Sequence, residues 1–296
     1  MKVSVVITAY NVEPWIERAV MSVLEQTWDG TLECIVVNDC STDGTADVLG
    51  RLMGVYEDRL SIYHNYKNVG AGQSRRDGAS YATGDYILLL DGDDWLEPDF
   101  IERLAEVAEQ TDSDIVGGGI TVRQTDGSWT ATSYGRCTTL GTDKVAKFWG
   151  EKIVFMNNKL IRRELFEKVP YCTRRYIEDT PVIIPMLWYA NRVEYVDTVG
   201  YNYRMRPSSL THTATPIKDI IYKGLCWCDL MDFFTEHDTS IFEVLNVKGY
   251  IGNIFQAINA TSITPDVVEP YREDWGELMI RLMGMVKVTG VELRSK

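Results

Sequence analysis

The sequence predicts an α/β fold: a doubly wound, mostly parallel nucleotide-binding sheet with antiparallel additions and a C-terminal helical region. Three observations carry this expectation. Apolar, β-branched runs alternate with helix-periodic segments over residues 1–110, the pattern of a parallel sheet built from strand–helix–strand units. Within that stretch Tyr86-Ile-Leu-Leu-Leu90 runs unbroken into Asp91-Gly92-Asp93-Asp94, as a buried parallel strand does where it ends at a charged rim. After Arg206 no strand-like segment follows, and from Ile217 the chain reads as helix.

Taken in order, Val3 to Thr8 is β-branched and apolar and forms the first strand. It ends at Ala9-Tyr10-Asn11, where Asn11 is expected to cap a helix running from about Val12 to Gln26. Leu32 to Val37 is the second strand. The run Asn38-Asp39-Cys40-Ser41-Thr42-Asp43-Gly44-Thr45 is dense in turn and capping residues before a helix to about Tyr56. Leu60 to Tyr63 is a short third strand, Asn68 to Arg76 opens another helix, and Gly84-Asp85 ends it ahead of the central strand. A helix from Pro98 to about Glu109 and a strand from Ile115 to Gly119 follow, and Asp126-Gly127 signals a hairpin. Asn157 to Ile161 reads as a returning strand, Arg162 to Lys168 as a short helix, and Pro181 starts a helix to about Ala190. Val193 to Val196 and Val199 to Arg206 read as two further strands. The expected division is a domain over 1–216 and a helical region over 217–296, where Leu278, Met279, Leu282, Met283 and Val286 form an apolar stripe whose first reading is packing.

Length and composition bound the function. With 296 residues, 45% of them hydrophobic, the chain has ample material for a core. A formal net charge of -13 disfavours nucleic acid as partner, since nothing supplies a basic phosphate-tracking face. An anionic substrate therefore needs locally placed cations. The six cysteines include no C-x-x-C pair and read as reduced thiols. The N-terminus passes directly into the first strand, and no apolar run reaches membrane-spanning length, so the expected location is the cytoplasm. Peripheral contact with the membrane face and homo-oligomer formation both stay open.

Chemistry concentrates at Asp91-Gly92-Asp93. Ligands of open α/β sheets bind at the carboxyl ends of the strands, and hard carboxylate oxygens at this spacing suit Mg²⁺ or Mn²⁺ bridging a phosphate. In extended chain Asp91 and Asp93 point the same way, with Gly92 removing a side chain between them. The plainer reading, a solvated acidic turn before the next helix, stands beside it. Gly70-Ala-Gly72 is not a dinucleotide fingerprint, because Arg75 occupies the third glycine position.

Four blocks in order, Val3-Ser-Val-Val-Ile-Thr-Ala-Tyr-Asn11, Val37-Asn-Asp39-Cys-Ser-Thr-Asp43-Gly, Asn68-Val-Gly70 with Arg75, and Leu90-Asp91-Gly-Asp93-Asp94, resemble the family 2 inverting glycosyltransferases. The resemblance is strong over about residues 1–110 and weaker through Asn158-Lys159, Glu178-Asp179 and Tyr203-Arg-Met-Arg206. It implies a GT-A fold and a metal-dependent enzyme that uses Mn²⁺ or Mg²⁺. The donor it implies is a nucleotide diphosphate sugar, a UDP-sugar in the first place, and the acceptor a glycan or lipid-linked glycan. It further implies that Thr8, Ala9 and Asp39 meet the uridine and that Asn68, Gly70 and Arg75 form the nucleotide-contacting loop. By the same resemblance Asp93 is a direct metal ligand, with Asp91 and Gly92 beside it near the ribose. In the acidic pair Glu178-Asp179, Asp179 is the expected general base for the acceptor hydroxyl. Arg204 and Arg206 are candidates for the diphosphate, and His212 for a further metal ligand, where a plain loop histidine is an equal reading.

The Q-x-x-R-W block and membrane helices of processive relatives are not in the sequence, which favours transfer of one or a few sugars, as in surface polysaccharide or glycoconjugate assembly. Two alternatives remain. A phosphohydrolase also places D-x-D after an apolar strand, though there the motif opens the chain. A non-catalytic sugar-nucleotide module would have lost the acceptor-side base.

Overall fold

The computed structural model describes residues 1–140, 143–151, 153–170, 179–206, 215–261 and 263–289. Strands β1 (Lys2–Ala9), β2 (Thr31–Asn38), β3 (Leu60–His64) and β4 (Tyr86–Asp91) alternate with helices α1 (Ile16–Leu24), α2 (Thr45–Tyr56) and α3 (Ala71–Tyr81). The four strands are parallel in the spatial order β3-β2-β1-β4. Then come β5 (Trp95–Leu96), α4 (Phe100–Thr111), β6 (Ile115–Arg123), β7 (Trp129–Thr132), β8 (Cys137–Leu140) and α5 (Asp143–Gly150). The chain continues through β9 (Lys159–Arg162), α6 (Arg163–Lys168), α7 (Thr180–Tyr189) and β10 (Arg192–Arg204).

Beyond β4 the sheet is mixed, continuing β9-β6-β10-β5, with β7 on β6 and β8 on β10. The returning strand β9 lies antiparallel between β4 and β6, pairing Ile87 with Ile161 and Ile115 with Ile161. This insertion matters for the site, because it carries the chain just before β9 to the end of β4.

Side chains alternate across the sheet as the pleat demands. Val3, Val5, Ile7, Leu88 and Leu90 join Ile16, Leu49, Phe100 and Leu104 on one face. Val6, Ile35, Ile87, Leu89 and Ile161 join Ile183, Ile184 and Leu187 on the other. The C-terminal helices α8 (Pro216–His237), α9 (Ile241–Val244), α10 (Val247–Ala260), α11 (Pro265–Val268) and α12 (Arg272–Thr289) build on that second face, where Ile221, Leu225 and Phe234 extend the same core. Leu278 and Leu282 are fully buried against it, and Arg281 holds Asp229 at 2.8 Å and Asp232 at 2.6 Å on α8. Packing thus absorbs most of the apolar stripe, while Met283 stays 50% exposed. No helix among the described residues is long and apolar enough to cross a membrane.

Several local expectations change. The first helix begins at Ile16, not Val12, and Asn11 does not cap it: its backbone is left-handed (φ 51°). The amides that a helix start would leave open are instead taken by the second block. Asn11 N donates to Ser41 Oγ (3.0 Å), Val12 N to Thr45 Oγ1 (3.0 Å) and Glu13 N to Asp43 Oδ2 (3.1 Å). The polar run after β2 thus ties two strand ends together, a use that local capping rules do not anticipate. The two strands read at 193–206 are one strand, β10, with irregular register between Tyr195 and Tyr201. Helix α5 was not expected at all.

Candidate active site

The carboxyl ends of β1, β2 and β4 meet at one rim. Asp39, just past β2, is 3% exposed and donates its backbone N–H to Ala9 O at 2.8 Å, clamping the two strand ends. Its carboxylate gathers the loop after β3: Oδ1 accepts from Val69 N (2.8 Å) and Asn65 Nδ2 (2.9 Å), and Oδ2 from Gly70 N (2.8 Å). Gly70 sits at φ +92°, a backbone state that glycine enters without strain, and it turns the loop into α3. Asp39, Asn65, Val69 and Gly70 therefore form one unit, with Asn68 carried in the loop between them. Asp39 does not cap α2, whose first residue follows Gly44.

At the end of β4, Asp91 is the hub. Its Oδ1 accepts from Arg75 at 2.9 Å and from Thr8 Oγ1 at 3.3 Å, and its Oδ2 from Asn157 Nδ2 at 3.1 Å. Burial pushes the Asp91 carboxyl up, but the Arg75 charge and these hydrogen bonds outweigh it and hold the group below the usual carboxylate range. Arg75 is only 6% exposed, and its other terminal nitrogen binds Asp179 Oδ1, also at 2.9 Å. One guanidinium on α3 thus joins the end of β4 to the residue that precedes α7. Planar, with forked donors, arginine alone among side chains fits this double task.

The strand stops at Asp91, so Asp91 and Asp93 are not alternate residues of extended chain as the spacing suggested. Gly92 and Asp93 form a turn in which Asp94 N donates to Asp91 O at 3.0 Å, and Gly92 N donates to Thr8 O at 2.9 Å. A Cβ at Gly92 would lie 2.9 Å from that same Thr8 oxygen, which explains the glycine by contact with β1. Asp93 pairs with Arg206 at 2.5 Å, and Arg204 Nε donates to the Asp93 backbone oxygen at 3.0 Å. Asp94 turns inward. Its two oxygens accept from Tyr201 Oη (2.6 Å) and Arg204 N (2.7 Å), so it fastens β10 to the rim.

Burial and the Asp91 charge push the Asp93 carboxyl up, with Arg206 offsetting only part of this. A divalent cation between the two carboxylates would relieve that repulsion, and hard oxygen donors suit Mg²⁺ or Mn²⁺. Among the described residues no three His, Cys, Asp or Glu side chains form a cage. Two carboxylates completed by substrate phosphates and water are an ordinary set for Mg²⁺, so the residues fit such an ion.

Lys159, at the start of β9, is fully buried near Asp179 and donates to Phe155 O (2.7 Å) and Asn158 Oδ1 (2.8 Å). Burial pulls its ammonium down to about 7, and the charge of Asp179 resists. These contacts fix the turn that presents Asn157, whose amide also donates to Tyr201 Oη at 2.9 Å. Asn157, Tyr201 and Asp94 complete the support of Asp91; the sequence points to no role for Asn157 or Tyr201, and to Asp94 only as part of the acidic rim. Glu178 and His212, expected as acceptor-side acid and metal ligand, lie outside the described residues.

Thr8, Arg75, Asp91 and Asp179 meet at the centre of this rim, with the Asp39–Gly70 unit at its β2 end and Asp93, Arg204 and Arg206 at its β10 end. A carboxylate-rich rim of this kind, on a parallel sheet with a mixed extension, is that of a GT-A sugar-nucleotide transferase. The chain belongs to glycosyl transferase family 2, whose model matches residues 4–170. It is 28% identical to the glycosyltransferase GlyG of Streptococcus pneumoniae over 77% of this chain and 81% of that one. To the putative glycosyltransferase EpsH of Bacillus subtilis it is 31% identical over 81% of this chain and 71% of that one. Its fold superimposes on residues 1–349 of S. aureus TarS in complex with UDP-GlcNAc with a TM-score of 0.64 at 20% identity, over 99% of this chain and 93% of that one. Against a longer TarS chain it spans 49% of the length.

Proposed function

We propose that this glycosyltransferase moves a sugar from a UDP-sugar to a hydroxyl of a glycan or lipid-linked glycan, with inversion at the anomeric carbon, in surface polysaccharide or glycoconjugate assembly. The observation that carries the reading is the Arg75 bridge, 2.9 Å to Asp91 and 2.9 Å to Asp179. It sets a donor-side and an acceptor-side carboxylate one guanidinium apart, the separation of roles that a single in-line displacement needs. The UDP-GlcNAc complex of the TarS neighbour supports the choice of donor.

In this reading the acceptor oxygen attacks the anomeric carbon, the bond from that carbon to the diphosphate oxygen breaks, and the hydroxyl proton passes to Asp179. UDP leaves with the bonding electron pair. Asp39 and its loop hold the nucleoside end, and Arg204 and Arg206 stand beside Asp93, where the charge of the diphosphate develops. Asp91 and Asp93 would hold the Mg²⁺ or Mn²⁺ ion, which when bound supplies Lewis-acid stabilisation of the leaving diphosphate.

The test is a donor panel: UDP- and GDP-sugars with Mn²⁺ or Mg²⁺, nucleotide release measured with and without glycan acceptors, and the product's anomeric configuration read by NMR. Acceptor-dependent UDP release with inverted configuration is expected. Retained configuration, or release from GDP-sugars in preference to UDP-sugars, would overturn the assignment.

A further inference from the structure

In a chain of net charge -13, four arginines from three elements and the segment after β10 gather around two indoles beside Asp93. The guanidinium carbon of Arg18 on α1 stands 3.6 Å from the centroid of Trp95, that of Arg204 4.8 Å and that of Arg123 5.7 Å. Arg206 stands 5.2 Å and Arg204 5.9 Å from Trp15, and Arg123 also lies 5.6 Å from the exposed Trp129 on β7. Trp95 itself is 7% exposed, so its ring is a fixed template for the cations, not a surface side chain.

Arg206 is paired with Asp93 at 2.5 Å, whereas the outer arginines are held by neutral partners more than by opposite charge. Arg123 donates twice to Asn202 Oδ1, at 2.7 and 3.0 Å, and Asn202 in turn donates to Glu97 Oε1 at 2.9 Å. For Arg123 the ion-pair partner among the described residues is Glu97, at 3.8 Å. Among the described residues Arg18 makes its ring contact with Trp95 and no ion pair. Burial and then the charges of Arg204 and Arg123 lower the pKa of Arg18, with Glu97 opposing, so the cations repel one another across the indole. Stacked arginines whose repulsion is not locally cancelled favour an oxyanion with several acceptor oxygens.

We propose that Arg18 and Arg123, arrayed on Trp95 beyond the donor rim, form a second anion subsite that takes a phosphate of the acceptor. This rests on the transferase reading, in which Arg204 and Arg206 face the donor diphosphate and the outer pair is left for a different anion. The chemistry recognised is a phosphodiester or diphosphate oxyanion. It comes either from a phosphodiester-linked acceptor chain or from the diphosphate of a lipid-linked acceptor.

The experiment measures binding, by calorimetry and tryptophan fluorescence, of two probes: a glycerol-phosphate oligomer and a short-chain prenyl diphosphate carrying a disaccharide. Each is titrated into the full chain and into Arg18→Gln/Arg123→Gln, with UDP plus Mn²⁺ as a control ligand. At least one probe should bind the wild type in the presence of saturating UDP, weaken steeply with added salt, and bind the double variant at least tenfold less tightly while UDP affinity is unchanged. Which probe binds identifies the source of the phosphate. If neither binds the wild type, or if the double variant binds as tightly, the subsite is overturned. Complete displacement of the probe by UDP in the wild type, a result that needs no variant, would place the anion in the donor site and overturn it too. Failure of UDP itself to bind the wild type would count against the transferase reading, and probe binding that persists would then stand apart from it.

Discussion

Replacing Arg75 with methionine tests how the two halves of the site are joined. Methionine preserves much of the side-chain volume on α3 but deletes both 2.9 Å contacts, leaving the Asp91 and Asp179 carboxylates facing one another without a cation. Removing one partner of a buried ion pair costs about 3–5 kcal/mol, because the other charge stays buried. Asp91 and Asp179 keep side-chain exposures of 25% each, so solvent screening brings the figure below that range, to about 2–3 kcal/mol. Asp91 also loses the charge that holds its carboxyl down. A depressed carboxyl stabilises the fold above its unfolded pKa and loses that stabilisation as pH falls through the folded value, so the variant should lack this part of the wild-type loss of stability in acid. Urea denaturation at neutral and acid pH reads both effects, and transfer assayed in parallel should fall at least ~100-fold. Arg75→Lys should recover little, since one ammonium cannot serve two carboxylates in fixed directions. An Arg75→Met protein within about 0.5 kcal/mol of wild type and fully active would refute the bridge as an organising element.

Two further outcomes follow from the same geometry. Excess chelator should abolish transfer, and Asp93→Asn should weaken metal-dependent UDP binding; full activity in excess chelator contradicts the metal assignment. Lys159, held at about 7, loses its proton in the folded state as pH rises through that value while the unfolded chain keeps it to about pH 10, so it makes stability rise with pH, by up to ~1.4 kcal/mol per unit between those values. Lys159→Met should flatten that slope in urea melts taken at pH 7, 8 and 9, and an unchanged slope would show that the lysine is charged where it lies.

The rim was legible because its parts are local. An apolar strand ending in a carboxylate is visible over a few residues and points to Asp91, while the Asp39 and Gly70 positions come from the family resemblance of the short blocks that hold them. What was not legible depends on non-local pairing. Arg75 on its own reads as a surface charge, and only its placement between the ends of β4 and α7 buries it. Asn157 reaches Asp91 because β9 inserts antiparallel between β4 and β6, which no periodicity in 157–161 announces. Asp94 was read together with Asp93 as part of one acidic rim, yet the turn at Gly92 sends it inward to Tyr201. Trp15, just before α1 and partly buried against the core, also underlies Arg206, and the arginine cluster is invisible in sequence because its members are separated by up to 188 residues.

The central claim is that donor binding and acceptor deprotonation reside on opposite sides of Arg75, and Asp179→Asn addresses it most directly. The substitution keeps the side chain's size and a carbonyl oxygen for Arg75 while removing the proton acceptor. UDP affinity with Mn²⁺, measured by calorimetry, should stay within a few-fold of wild type, and transfer at saturating donor should fall by roughly 100-fold or more. Lost UDP binding with transfer per bound donor unchanged would contradict the account, since it would make Asp179 part of the donor site and leave the acceptor without its base.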